Sequence, residues 1–181
     1  MAAPMLAWTL ISIPAIVLAG TLLHFAYIWS GRRRIVAAFT PVNESVWEHL
    51  KMAYWPVLFY TGVMFVTRHP SASLLSAAAL GFLTMAALML GLFYLTIRVI
   101  PQAEDRRRLI ADGTIFVVAV AAGQLLSYLL LGQVDTGTVT GLILLLAPGV
   151  VLAVTTFVPP RLPVFQDQLN GTYGVQAPDQ A

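Results

Sequence analysis

Residues Met5 to Arg34 read MLAWTLISIPAIVLAGTLLHFAYIWSGRRR. From Met5 to Trp29 there is no Asp, Glu, Lys or Arg, and the run then stops against Arg32, Arg33 and Arg34. At 1.5 Å per residue such a helix is roughly 37 Å long, enough to cross a hydrocarbon core of roughly 30 Å. A secretory leader would carry a basic start and a shorter apolar run, so this is a first membrane span with positive anchors behind it. Trp8 and Trp29 lie near its opposite ends, where interfacial aromatics belong.

The remainder of the chain repeats the pattern. Of 181 residues 59% are apolar and 10% charged, a composition that excludes an ordinary soluble domain. The absence of cysteine excludes disulfides, thiolate metal sites and cysteine catalysis, leaving His and carboxylate as the strong metal ligands. Further apolar stretches run from Met52 to Thr67, Leu74 to Ile100, Gly113 to Gly132 and Val139 to Val158. Lipid requires each to be helical. The expected fold is therefore all-α, a five-helix transmembrane domain over residues 1–160 followed by a cytoplasmic tail over 161–181. Ala77, Ala78, Ala79 and Gly81, with Ala119 and Gly123, offer close helix approach, and Pro56 and Pro148 predict kinks.

Counted by alternate connections, Arg32, Arg33, Arg34, Lys51, Arg98, Arg106, Arg107, Arg108 and Arg161 fall on one side and Arg68 on the other. The positive-inside rule then places the N-terminus outside and the C-terminus in the cytoplasm. The expected location is the cell membrane, as a multi-pass protein. The arginines report orientation, and no nucleic-acid partner is expected.

The chemistry-bearing stretch is Pro41 to Pro56, PVNESVWEHLKMAYWP. Met52 to Thr67 spans 16 residues, roughly 24 Å of helix, and must borrow from this polar segment to cross. Thr40 and Pro41 suit an N-cap and first helical position, which predicts a helix start there. Glu44 and Glu48 then share one stripe, with Lys51 a turn further on, and His49 lies on the adjacent face. His24 sits roughly 8 Å inside the same end of the first span.

Ionisable groups near hydrocarbon turn toward partners or water, so these residues outline a cytoplasmic-side pocket. Glu44, Glu48 and His49 are the candidate catalytic groups, and His24, Tyr27, Asn43, Trp47 and Lys51 the candidate lining. His24, Glu44, Glu48 and His49 would suit a divalent metal such as zinc or iron. Without a metal, a Glu and His pair could exchange protons with a lipophilic substrate. A structural alternative stands beside both. Glu44 could complement a helix dipole, Glu48 and Lys51 form an ordinary i,i+3 pair, and His24 bond a neighbouring helix. Gln124, Ser127 and Tyr128 suit either the cavity or interhelical bonds, Glu104 and Arg108 an i,i+4 pair, and Asp112 a helix cap.

The tail PPRLPVFQDQLNGTYGVQAPDQA is too short and polar for a domain and is compatible with disorder. Val164, Phe165, Leu169 and Tyr173 around the Asn170-Gly171 turn signal would alternatively let it fold back under the bundle.

In the HFAYIWSG end of the first span, the PVNESVWEHLK entrance to the second, and this tail, the chain resembles a family of small bacterial polytopic membrane proteins, a domain of unknown function. The resemblance implies a shared membrane fold and transfers no catalytic residue. At the level of fold alone, it also looks loosely like sterol-isomerase-type proteins, without their motifs. The function classes left open are a membrane-embedded enzyme, a small transporter or binding protein, and a non-catalytic subunit in a homo-oligomer or membrane complex.

Overall fold

A computed structural model describes residues 2–68, 70–100 and 105–175. The order is α1 (Ala2–Trp29), α2 (Arg34–Ala37), α3 (Val46–Thr67), α4 (Ala72–Val99), α5 (Asp105–Leu130) and α6 (Thr138–Phe157), then a 3-10 turn at Pro163–Phe165. No strand occurs among the described residues beyond one isolated bridge between Gln166 and Tyr173. Four helices, α1, α4, α5 and α6, are long and apolar enough to cross a membrane.

The fifth long helix, α3, falls outside that group and carries the buried charges Glu48 and Lys51. It packs on α1, α4, α6 and the 3-10 turn, while α4 also packs on α5 and α6, and α5 returns to α1. Thus α1, α3, α4 and α5 close a ring, and α6 lies outside it against α3 and α4. A helix surrounded by protein can carry polar side chains that lipid would reject.

Two close approaches set the ring. Gly81 and Gly123 face each other across α4 and α5, where a side chain on either would meet the other's carbonyl. Ser127 there donates to the carbonyls of Ala77 at 3.1 Å and Gly123 at 3.0 Å, so its role is interhelical. On the other side, Pro56 has no N–H for the carbonyl of Met52, and that carbonyl is the group Gly20 of α1 packs against. Glycine at 20 lets α1 cover the backbone position that the proline leaves open. Gly149 similarly admits the Tyr54 ring, whose hydroxyl donates to the Leu145 carbonyl at 2.9 Å in the turn before Pro148.

The entrance to α3 differs from expectation. The helix starts at Val46, capped by Ser45, whose hydroxyl accepts from the Glu48 N–H at 3.3 Å. Asn43 fixes that cap by accepting from Ser45 N–H at 3.0 Å. Thr40 instead closes α2, its hydroxyl donating to the Val36 carbonyl at 3.0 Å. Ser45 with Glu48 has the spacing of a capping box, and this local signal outweighs the proline at 41. Glu44 therefore precedes the helix, and the stripe expected to hold both Glu44 and Glu48 does not form. Asp112 likewise caps nothing, because α5 begins seven residues earlier at Asp105. The Glu104–Arg108 pair lies outside the described residues.

The tail folds back onto the bundle. Phe165 is buried against Trp47, ring centroids 4.7 Å apart, and Val175 N–H donates to the Thr156 carbonyl at 3.2 Å. Buried Asp167 organises the turn, accepting from Leu169 N–H at 2.7 Å and from Glu44 N–H at 3.3 Å.

Candidate metal centre and its cavity

The ring of α1, α3, α4 and α5 encloses a cavity of about 580 Å³ near the end where α1 stops and α3 begins. Its walls are Val17 from α1, Met52 from α3, Met89 and Phe93 from α4, and Ile115 and Phe116 from α5. One end is polar, with His24, Glu44, His49, Arg108 and Asp112, and the tail residues Gln168 and Leu169 stand at its rim.

At that end Glu44 Oε2 lies 3.4 Å from His49 Nε2, and Oε1 lies 3.8 Å from His24 Nε2. The imidazole rings are 5.2 Å apart, centroid to centroid. One ligand atom from each of the three falls within 4.8 Å of the others, so this group could hold a metal ion. His49 Nδ1 is 2.8 Å from the Ser45 carbonyl. A carbonyl only accepts, so Nδ1 carries the proton and Nε2 is directed at Glu44, as a metal-ligating histidine requires. His24 Nδ1 is buried without a partner.

With Nδ1–H held by Ser45, donation from Nε2 to Glu44 takes a second proton, so the ion-free contact is an imidazolium–carboxylate pair that a bound ion would displace. The hydrogen bond from His49 holds the Glu44 carboxyl below its ordinary value, against the upward push of burial, and the charges of His49 and His24 add to the effect. Glu44 is thus kept as a carboxylate, the form that ligates.

Glu48 and Lys51 belong to a second, separate cluster. Lys51 Nζ donates to Glu48 Oε2 at 2.7 Å, to the carbonyls of Ala37 at 2.9 Å and Thr40 at 3.1 Å, and to Thr156 Oγ1. Glu48 also accepts from Val42 N–H at 3.1 Å and Thr156 Oγ1 at 3.1 Å. The Lys51 side chain is fully buried and that of Glu48 nearly so, which removes Lys51 from the headgroup-facing charges. Glu48, expected as a fourth metal ligand, points away from the cavity: three residues into α3 from its cap, it is turned from the side that Glu44 and His49 share. Asn43 donates to the Gly174 carbonyl at 3.4 Å and Trp47 Nε1 to Thr155 Oγ1 at 2.8 Å, so both face the tail and α6. Tyr27 is buried, and it too stands outside the cavity lining.

A family model matches residues 2–175, nearly the full chain. The chain belongs to DUF6512, a family of unknown function. No curated protein and no solved structure matches it. Membership in DUF6512 assigns no role to any residue of the chain.

Two imidazole nitrogens and one carboxylate would supply three protein ligands, the donor set found in catalytic zinc sites and in non-haem iron sites. Arg108 and Asp112, expected in a connector ion pair and at a helix cap, line the cavity instead, and Asp167 was not singled out by the sequence. Arg108, Asp112 and Phe116 are spaced i, i+4 and i+8, which puts two ionisable groups and an aromatic on one face of α5 and was the available signal. For Asp167 no local pattern points to a partner 123 residues away.

Proposed function

We propose that the chain is a five-span protein of the cell membrane, with its N-terminus outside, whose cavity holds one divalent ion, zinc or iron, and acts on a lipophilic substrate. The observation that carries this reading is the His24, Glu44 and His49 cluster at the polar end of an apolar cavity. When bound, such an ion supplies Lewis acidity and an activated water for hydrolytic chemistry. The chain's own groups do the rest. His24, Glu44 and His49 position the ion, Ser45 orients His49, and Asp112 lies where it can take or return a proton at the cavity's polar end.

Orientation rests on the charge bias and on one contact. Arg68, the basic residue assigned to the outer side, lies over the Trp8 ring at 4.9 Å, so the start of α1 and the end of α3 share a level away from the metal cluster. A transporter would need a path to that level, whereas the cavity lining stops at Val17 on α1 and Met52 on α3.

Zinc titration into chelator-treated protein by calorimetry tests the reading. The expected result is one site per chain, lost in Glu44→Gln and His49→Ala; equal binding by these variants contradicts it. Because the chain has no cysteine, Asp135→Cys and Thr172→Cys should label from outside and inside respectively, and the reverse pattern contradicts the orientation.

A further inference from the structure

The outer edges of the cavity carry exposed apolar side chains. Phe25 on α1 and Leu109 and Val117 on α5 border it, and Leu169 of the tail, 82% exposed, stands at its rim. Solvent-facing apolar groups in this number are unfavourable beside water and ordinary beside acyl chains. The border of the cavity on α1 and α5 is therefore suited to acyl chains rather than to water. Along α1 the lining runs Val17, Thr21, His24 and Phe25, so an apolar slot roughly 10 Å long leads away from the histidines.

The charge at the polar end selects the head group. Glu44, Asp112 and Arg108 face it together with the two histidines. With a divalent ion in place and the imidazoles neutral, the two carboxylates balance that ion and Arg108 leaves a net positive charge. Resting on the metal-site reading above, we infer that the occupant is a single-chain amphiphile with an anionic head, a fatty carboxylate or a lysolipid phosphate. It enters sideways from the membrane, with its head at the ion and Arg108 and its chain along Val17, Met89 and Phe116.

The test uses full-length protein in nanodiscs loaded with zinc, with dansyl-labelled undecanoic acid as fluorescent probe and metal content measured on the same samples. The probe is expected to bind the zinc-loaded wild type and to weaken at least about tenfold after chelation and in Thr21→Trp, which fills the slot from its rim while leaving the metal ligands in place. Val17→Trp provides a second block should Thr21→Trp misfold. Lauric acid and a lysophosphatidic acid serve as competitors, and whichever displaces the probe more strongly identifies carboxylate or phosphate as the head. Zinc bound at full stoichiometry with no probe binding, with undiminished binding in both tryptophan variants, or with equal displacement by dodecyltrimethylammonium overturns the inference and leaves the metal site standing. Absence of metal from the wild type overturns both.

Discussion

Glu44 Oε2 faces His49 Nε2 at 3.4 Å, while the opposite nitrogen of that imidazole is anchored 2.8 Å from the Ser45 carbonyl. The cap of α3 thus aims the histidine, and the residue before the cap supplies the carboxylate that meets it. This pairing depresses the Glu44 carboxyl, chiefly through the hydrogen bond. A group whose folded value is lowered contributes stability that is present above its unfolded value and is lost as pH falls through the folded one. Thermal unfolding in detergent should therefore show wild type more stable than Glu44→Gln near neutrality. The gap should close as pH drops below the ordinary carboxylate value of 4.5; a gap that widens there refutes the pairing.

Lys51 and Glu48 behave differently under substitution. Both are buried, and removing one leaves the other charged and unpaired, a loss of about 3–5 kcal/mol. Lys51→Met should lower the unfolding temperature strongly, and adding Glu48→Gln should recover part of the loss. Metal stoichiometry of the folded fraction should stay unchanged in both. Loss of metal without loss of stability would move this pair into the site.

Gly20 stands against the Met52 carbonyl that Pro56 leaves without its helical donor, and against the Phe116 ring. Gly20→Ala forces α1 outward at this contact and should cost about 1–3 kcal/mol in unfolding measurements. Because Phe116 and Met52 line the cavity, the same variant should also weaken binding of an apolar ligand. Unchanged stability would show that α1 is not seated on α3 at this point.

Asp167 ties the tail to the backbone of Glu44 at 3.3 Å. Asp167→Asn keeps the shape and removes the charge, while Asp167→Ala removes the acceptors altogether. Metal affinity should fall by about 10–100-fold in Asp167→Ala, the usual cost of losing a group that orients a ligand, with less change in Asp167→Asn. Limited proteolysis should cut the Asp167→Ala tail faster after Pro160. Equal affinity would separate the tail from the metal cluster.

Much of this was legible in the sequence, for identifiable reasons. Apolar length alone disclosed α1, α4, α5 and α6, because lipid leaves a chain few alternatives. His24, Glu44 and His49 were readable as a group from depth and spacing. The split between Glu44 and Glu48 was not, because it turns on where α3 starts: a start at Thr40 puts both on one stripe, and a Ser45 cap sends them to opposite sides. The burial of Lys51 was hidden for a similar reason, since its acceptors come from Ala37, Thr40 and the distant Thr156. Asp112 was masked by the extra turns of α5 before Gly113, which turn an apparent cap into a wall of the cavity.

The most direct test of the metal-site account is elemental analysis of the protein purified without added metal, in wild type, Glu44→Gln, His49→Ala and Glu48→Gln. The account predicts near-stoichiometric zinc or iron in wild type and in folded Glu48→Gln, and its loss in Glu44→Gln and His49→Ala. Metal that is absent from wild type, or retained by all four proteins, would contradict it.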